Sequence, residues 1–305
     1  MDAIQKRILM EVAGLESTPH GAYNIRANGE TSARSTTANI DIVSKADGSG
    51  IDIYIKPNTV NESMHIPVIL SESGLKEVVY NDFHIGENCD VVIVAGCGIH
   101  NCGDQDSAHD GIHSFHVGKD ARVRYVERHY GEEEGTGENI MNPTTIIEID
   151  EGGYLEMETT QIKGIDSTIR DTSAVVGKGA TLIVKEKIMT HGKQHAETNF
   201  NVDLNGEGAS TNVISRSVAK DNSTQTFLSK INGNAECYGH TECDAIIMDN
   251  ASVRAIPEIT ANDINASLIH EAAIGKIAGE QLIKLMTLGL TEQEAEEQIV
   301  NGFLK

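Results

Sequence analysis

Two stretches of this sequence carry residue types that bind metal ions. The first reads CGIHNCGDQDSAHDGIHSFH (97–116) and contains two cysteines, four histidines and three aspartates. Its candidate ligands follow the order Cys97-x2-His100-x-Cys102-x6-His109-x3-His113-x2-His116. Because zinc fingers use two closely spaced ligand pairs, this irregular spacing argues against a zinc finger. The stretch is therefore either an accessory metal or sulfur-handling site, or a polar and partly buried turn.

Strand geometry limits which of these histidines can act together. Successive side chains of a strand point to opposite faces, so His113 and His116 cannot face one site unless a bulge intervenes. A mononuclear metalloenzyme that uses residues 97–116 is one candidate function. Its site would need such a bulge to turn His113 and His116 to one face.

The second stretch lies nearer the C-terminus, in HTECD (240–244) and IHEAA (269–273). The thiolate of Cys243 would be a strong, soft ligand for iron, once the thiol has lost a proton with an ordinary pKa of about 8.5. The carboxylate of Glu271 and the imidazole of His270 are acceptable iron ligands for a transient site. The residues alone leave the alternatives open: a small buried cysteine in a β core, and a helix-capping or salt-bridging His–Glu pair.

Composition narrows the class of protein that carries these stretches. The 305 residues include 24 Lys and Arg against 46 Asp and Glu, a formal charge of −22. Such a surface repels phosphate backbones and anionic lipid head groups, so neither nucleic acid nor a membrane is an expected partner. No run approaches the ~20 apolar residues that span a bilayer.

The cysteine count and the first residues predict a cytoplasmic location. Five cysteines are an odd number, which fits free or metal-bound thiols in a reducing compartment. The opening MDAIQKRILMEVAG is too charged for a secretory signal, and it predicts an amphipathic helix. The absence of Trp counts against a polysaccharide-active enzyme, which remains a second candidate function.

A repeat runs through the middle of the chain and would position these residues. A turn bearing Gly, Asn or Asp is followed by a small residue and then by alternating apolar positions. The small residues of successive copies are Cys89, Ala121, Gly153, Ala180, Ala209 and Ala235. These steps of 26 to 32 residues predict one coil of a β-solenoid per copy, because stacked copies bury a continuous core that no single copy could.

The pattern divides the chain into three parts. Residues 1–80 are predicted to form an N-terminal helix and capping strands, residues 81–262 a β-helix core, and residues 263–305 a C-terminal helical region. In the last part GEQLIKLMTLGL (279–290) has helical spacing, and Thr291 with Glu294 forms a T-x-x-E capping box.

The C-terminal third resembles the end of the SufB/SufD family of iron–sulfur cluster assembly proteins. GHTECDAIIMDNASVRAIPEI (239–259) and IHEAAIGKIAGEQLIKLMTLGLTEQEAEEQIVNGF (269–303) keep nearly all of the family's pattern in order. The earlier segment GCGIHNCGDQDSAHDGI is similar to the family's G-C…S-x-H pattern. The resemblance runs from about residue 60 to the end.

The resemblance implies a right-handed parallel β-helix followed by helices. It implies a non-enzymatic scaffold that holds a transient iron–sulfur cluster, pairs with itself or a related SufB/SufD-like subunit, docks a SufC-like ABC ATPase and serves apo-protein acceptors. It places Cys243, Glu271 and His270 as ligands of iron or a cluster in one shared site. Cys97 and His109 match the family segment and are the accessory metal candidates.

The chain also departs from the family pattern. It lacks the long N-terminal extension of full-size SufB and ends soon after NGF, so an ATPase is expected to dock by a different arrangement. No G-x-x-x-x-G-K-[ST] motif occurs, so ATP hydrolysis is expected to come from a partner.

Overall fold

A computed structural model describes the backbone of residues 1–305 and every side chain except that of residue 133. In chain order the elements are α1 (Ala3–Ala13), β1 (Ala22–Ala27), β2 (Glu30–Ser35), β3 (Ile40–Ser44), β4 (Gly50–Ile55), β5 (Val60–Leu70), β6 (Lys76–Ile85), β7 (Asp90–Asn101), β8 (Ser107–Val117), β9 (Arg122–Glu133), β10 (Asn139–Met141), β11 (Thr144–Ile149), β12 (Tyr154–Lys163), β13 (Ser167–Val176), β14 (Thr181–Thr190), β15 (His195–Leu204), β16 (Ala209–Ala219), β17 (Thr224–Gly233), β18 (Cys237–Ile247), β19 (Ser252–Ala261), β20 (Ser267–Gly275), α2 (Gly279–Met286) and α3 (Glu292–Phe303).

The strands form two ten-stranded sheets that face each other across one core. Sheet A has the order β2-β1-β5-β7-β9-β12-β14-β16-β18-β20, and sheet B has the order β19-β17-β15-β13-β10-β8-β6-β4-β3, with β11 beside β8 and β13. Apart from the pairs β1–β2 and β3–β4, all pairings are parallel. The predicted mainly β solenoid with helices at both termini is confirmed.

The predicted repeat corresponds to the physical stacking of coils. The residue after each aligned small position donates its backbone N–H to the small residue of the preceding coil, as Arg122 does to Cys89 and Tyr154 to Ala121. The last predicted equivalence is wrong by two residues, because Ala209 pairs with Cys237 and not with Ala235. A shift of two keeps each side chain on its face of the sheet, so the hydrophobic pattern alone could not detect it.

The turn before each small residue explains the Gly, Asn and Asp of the repeat. The five residues concerned have φ between 55° and 76°, in the left-handed region that glycine, asparagine and aspartate tolerate best: Asn88, Asp120, Gly152, Gly179 and Gly208. The chain therefore reverses at the same place in successive coils. Inward side chains then stack, as Phe83 and Phe115 do with ring centroids 4.4 Å apart.

The helices cover parts of the outer surface of the solenoid. Helix α1 lies on sheet A, where Ile8 packs over Gly98, and a side chain at Gly98 would overlap Ile8. Val300 of helix α3 and the following Leu304 pack against Val218. Among the helices that the structure describes, none combines the length and apolar character needed to cross a lipid bilayer.

The final coil ends both sheets. β19 and β20 each have a neighbouring strand on one side, and no other described strand pairs with their outer edges. We call this pair of strands the open end. Exposed apolar side chains on it include Ile259, Ile269 and Ile274.

Candidate functional site

Cys243 lies inside the solenoid, one strand away from the open end. Its neighbours in register are Ser215 on β16 and Ala272 on β20, and the residue is 1% exposed. Burial raises the pKa of the thiol to about 12, and the nearby carboxylates of Glu186 and Asp244 add to the effect. The unliganded side chain is therefore a neutral thiol, and a metal ion would have to displace its proton.

Glu271 points to the opposite face of sheet A. It pairs in register with Glu242, and its Oε2 lies 3.4 Å from Nε2 of His240. One ligand atom from each of these three residues lies within 4.8 Å of the others, on the outer surface. We call His240, Glu242 and Glu271 the outer triad.

His270 faces the interior side, as Cys243 does, because it pairs with the buried Thr241. Its Nδ1 is buried and has no hydrogen-bond partner among the described residues. Burial, together with the neighbouring His240, lowers the pKa of its imidazole. Within one chain the structure thus places Cys243 and His270 on the inner face and Glu271 on the outer face.

A column of polar side chains leads from Cys243 into the core. Five successive strands of sheet A contribute one inward residue each, in direct register: Glu127, Thr159, Glu186, Ser215 and Cys243. We call these residues the inner column. Hydrogen bonds to Glu186 Oε2 from Ser215 Oγ (2.8 Å) and to Oε1 from Thr198 Oγ1 (3.0 Å) satisfy this buried carboxylate.

A buried arginine from sheet B neutralises the inner column. Arg170 donates to Glu127 Oε2 at 2.8 Å, and its Nε lies 3.7 Å from Glu186 Oε1. Burial alone would raise the pKa of Glu127, but His129, Arg170 and His113 outweigh it and hold that pKa well below its usual value. Burial dominates at Glu186, whose pKa is raised.

Glu127 and Glu186 were not among the predicted site residues, although their spacing in the repeat could have identified them. Each member of the inner column lies six residues after the small residue that begins its coil, as Glu127 follows Ala121 and Cys243 follows Cys237. An even offset returns to the same face of a strand, so the position is an inward one. Glutamate at inward positions of a repeat is the sign of a buried polar network.

The structure separates the ligands of the segment 97–116. Cys97, His109 and His113 line a small cavity of about 20 Å3, enough for one water molecule. His109 Nδ1 lies 3.0 Å from Glu77, and His113 Nδ1 lies 2.8 Å from the Tyr125 hydroxyl. His113 Nε2 also lies 3.2 Å from Asn81 Nδ2, so both nitrogen atoms of His113 and Nδ1 of His109 are already engaged in hydrogen bonds.

The other two histidines of that segment point to the outer faces of the sheets, where His116 is exposed and His100 is buried. His116 pairs with Glu148 at 3.1 Å, and His100 lies beneath α1 with its Nδ1 2.7 Å from Glu132. Cys102 is exposed. The alternation that the sequence predicts for His113 and His116 holds, and the segment does not assemble its four histidines into one metal site.

Comparisons with known proteins agree with the fold and with the resemblance. The family model described as "SUF system FeS cluster assembly, SufBD core domain" matches residues 72–303. The chain is 31% identical over 243 residues to an iron–sulfur cluster assembly SufBD family protein of Methanocaldococcus jannaschii, covering 79% of this chain and 76% of the relative.

Two further relatives carry the same family description. A protein of Archaeoglobus fulgidus is 29% identical over 85% of this chain and 70% of its own length. A protein of Methanothermobacter thermautotrophicus is 28% identical over 78% of this chain, and the match spans 57% of that relative.

Proposed function

The chain belongs to the SufBD family of iron–sulfur cluster assembly proteins, and from that premise we propose that it is a non-catalytic scaffold for a transient cluster. Family membership supports a role in iron–sulfur cluster assembly. The observation that carries the finer proposal is the position of Cys243, a buried thiol one strand from the open end of the solenoid. The cluster and its iron are cargo that passes to apo-protein acceptors in the cytoplasm.

Cys243 is the proposed thiolate ligand of the cargo. His270 lies on the same face, one strand further towards the open end, and its unpartnered Nδ1 makes it the proposed imidazole ligand. Glu271 is the proposed carboxylate ligand for iron on the outer face of the same strand, apart from the ligands Cys243 and His270 on the inner face. A mixed ligand set of this kind holds iron less tightly than four thiolates and suits release. Cys97 and His109 stay predicted accessory residues for metal or sulfur handling.

The open end is the proposed site of pairing with a second copy or a related SufB/SufD-like subunit. An unpaired strand edge presents free N–H and C=O groups that a strand of another chain can satisfy. Exposed Ile259 and Ile269 add apolar surface at this edge. Pairing here would enclose the cargo between two subunits, close to Cys243.

Helix α2 is the proposed docking element for a SufC-like ABC ATPase. It has no buried residue, and Ile283, Met286 and the following Leu288 are exposed. Because apolar side chains grouped on a short helix commonly mark an interaction surface, they suit a partner's groove. ATP hydrolysis by that partner would open or close the paired subunits.

Anaerobic reconstitution with ferrous iron and sulfide tests the scaffold proposal. We expect a cluster absorption band in the wild-type protein that Cys243→Ser largely abolishes. The matched control is Cys237→Ser, since Cys237 lies on the same strand and face and is also buried. Circular dichroism verifies that both variants fold. An unchanged spectrum in Cys243→Ser would remove this thiol from the site.

Co-purification tests the partner proposals. Native cytosol fractionated without oxygen should yield the chain with an ABC ATPase, and replacing Ile283 and Leu288 by Glu should release that ATPase while leaving the solenoid folded. Retention of the ATPase by this variant would exclude α2 as its docking element.

A further inference from the structure

The outer triad concentrates two carboxylates, and neither forms an ion pair with a lysine or arginine among the described residues. Glu242 and Glu271 occupy directly paired positions on β18 and β20, where like charges destabilise a sheet. Asp244 follows on the same face of β18. None of the ion pairs in the described part of the chain joins a lysine or arginine to either glutamate, although Arg216 on β16 lies nearby, in register with Asp244.

The imidazole of the outer triad is oriented by a neighbouring strand. His240 Nδ1 lies 3.0 Å from Asn212 Oδ1 on β16, so Nδ1 carries the proton and donates it to this oxygen. Nε2 is then a lone-pair nitrogen, and it faces Glu271 at 3.4 Å. Either a proton on Nε2 or a metal ion between the two atoms removes the repulsion between this lone pair and the carboxylate oxygens. Metal-binding histidines are held in the same way, by a hydrogen bond at their other ring nitrogen.

A second cluster, also of one histidine and two glutamates, has its negative charge balanced by an arginine. One ligand atom each from His100, Glu132 and Glu134 also lies within 4.8 Å of the others. There Arg7 donates from Nε to Glu132 Oε1 at 2.7 Å and supplies the positive charge. The outer triad has the same ligand types, but no arginine among the described residues hydrogen-bonds to its carboxylates.

We propose that His240, Glu242 and Glu271 bind one divalent first-row transition ion, which is ferrous iron when the protein works as the scaffold proposed above. One nitrogen and two carboxylate oxygens suit such an ion and leave positions for water. The site lies on the opposite face of β18 from Cys243, so it receives iron without using the thiol. Its oxygen-rich ligands hold iron loosely enough to pass it on. The identity of the ion rests on the proposed function, whereas the site itself rests on the geometry.

Cobalt(II) binding to the full chain, followed anaerobically by visible absorption and calorimetry, tests the site. We expect one equivalent with nitrogen and oxygen ligation and no intense thiolate-to-cobalt band. His240→Ala and Glu242→Gln should each abolish it. Asn212→Leu, which removes the orienting hydrogen bond, should weaken it about 10- to 100-fold. Cys237→Ser and Glu134→Gln are the controls and should bind as the wild type does.

Cobalt binding tests the outer site, and cluster formation tests the scaffold proposal separately. Equal binding by the wild type, His240→Ala and Glu242→Gln would overturn the outer site, as would a thiolate band that disappears in Cys243→Ser. Normal cluster formation by Cys243→Ser, measured separately, would overturn the thiol's role and leave the cobalt result standing. Ferrous iron titrated in place of cobalt should show the same order of variants.

Discussion

Arg170 is the residue whose replacement most directly tests the buried network. Its guanidinium is nearly inaccessible and lies between two buried carboxylates, Glu127 and Glu186. Arg170→Met keeps an unbranched side chain of similar length and removes the charge. Glu127 would keep its hydrogen bond from the Tyr125 hydroxyl at 2.9 Å, but it would lose the stronger, charged donor.

The expected cost is about 3–5 kcal/mol in the free energy of unfolding at pH 7.5, the range for removing one partner of a buried ion pair. A carboxyl whose folded-state pKa lies below its unfolded value of about 4.3 stabilises the fold above that pH, and the contribution disappears as the pH falls through the folded-state pKa. Glu127 is of this kind, because His129 and Arg170 outweigh the effect of burial. Without Arg170 its pKa rises, so the cost of the mutation should shrink towards pH 5 as the carboxylate takes up a proton.

Urea unfolding at pH 7.5 and pH 5 measures this cost, and hydrogen exchange locates it to β9, β13 and β14. The control Arg128→Met removes an exposed arginine from β9, the strand that carries Glu127, and should change stability by no more than about 0.5 kcal/mol. Adding Glu127→Gln to Arg170→Met should restore part of the loss, since fewer buried charges then lack partners. The reasoning would be refuted if the unfolding free energy of Arg170→Met lay within about 1 kcal/mol of the wild-type value at pH 7.5. Strictly additive effects of Arg170→Met and Glu127→Gln in the double variant would refute it too.

Three further predictions follow from other contacts. Gly131→Ala would push a methyl group into the Gly164 carbonyl and should cost about 3 kcal/mol by thermal unfolding, whereas Gly275→Ala, with open space around it, should cost little. Burial alone would raise the pKa of Glu132, but hydrogen bonds from Arg7 and His100 hold that pKa below its usual value. Helix α1 should therefore detach as the pH falls through that pKa. Proteolysis of α1 should show this detachment, and in Arg7→Ala it should begin at a higher pH. Thr291→Ala breaks the capping box of α3 and should cost that helix about 1 kcal/mol, measured by hydrogen exchange.

The sequence by itself determined the features that depend on neighbours along the chain. Turns need a residue that accepts a left-handed φ, so the Gly, Asn and Asp of the first five copies of the repeat marked their coils correctly. Strand alternation predicted that His113 and His116 lie on opposite faces, and in the structure His113 is buried and His116 exposed. The capping box of α3 begins at Thr291, as its T-x-x-E spacing predicts.

The choice of Cys243 and Glu271 as candidates was possible from their residue types and the family resemblance, but their opposite orientations became clear only in the structure. Coils differ in length, so which residue stacks on which depends on the whole solenoid. The two-residue shift that pairs Ala209 with Cys237 is one example. The contact of Arg170 with Glu127 joins different sheets, and that of His240 with Glu271 joins different coils. Such contacts form when the core closes, because inter-coil register is set by summed packing and hydrogen bonding and not by any local pattern.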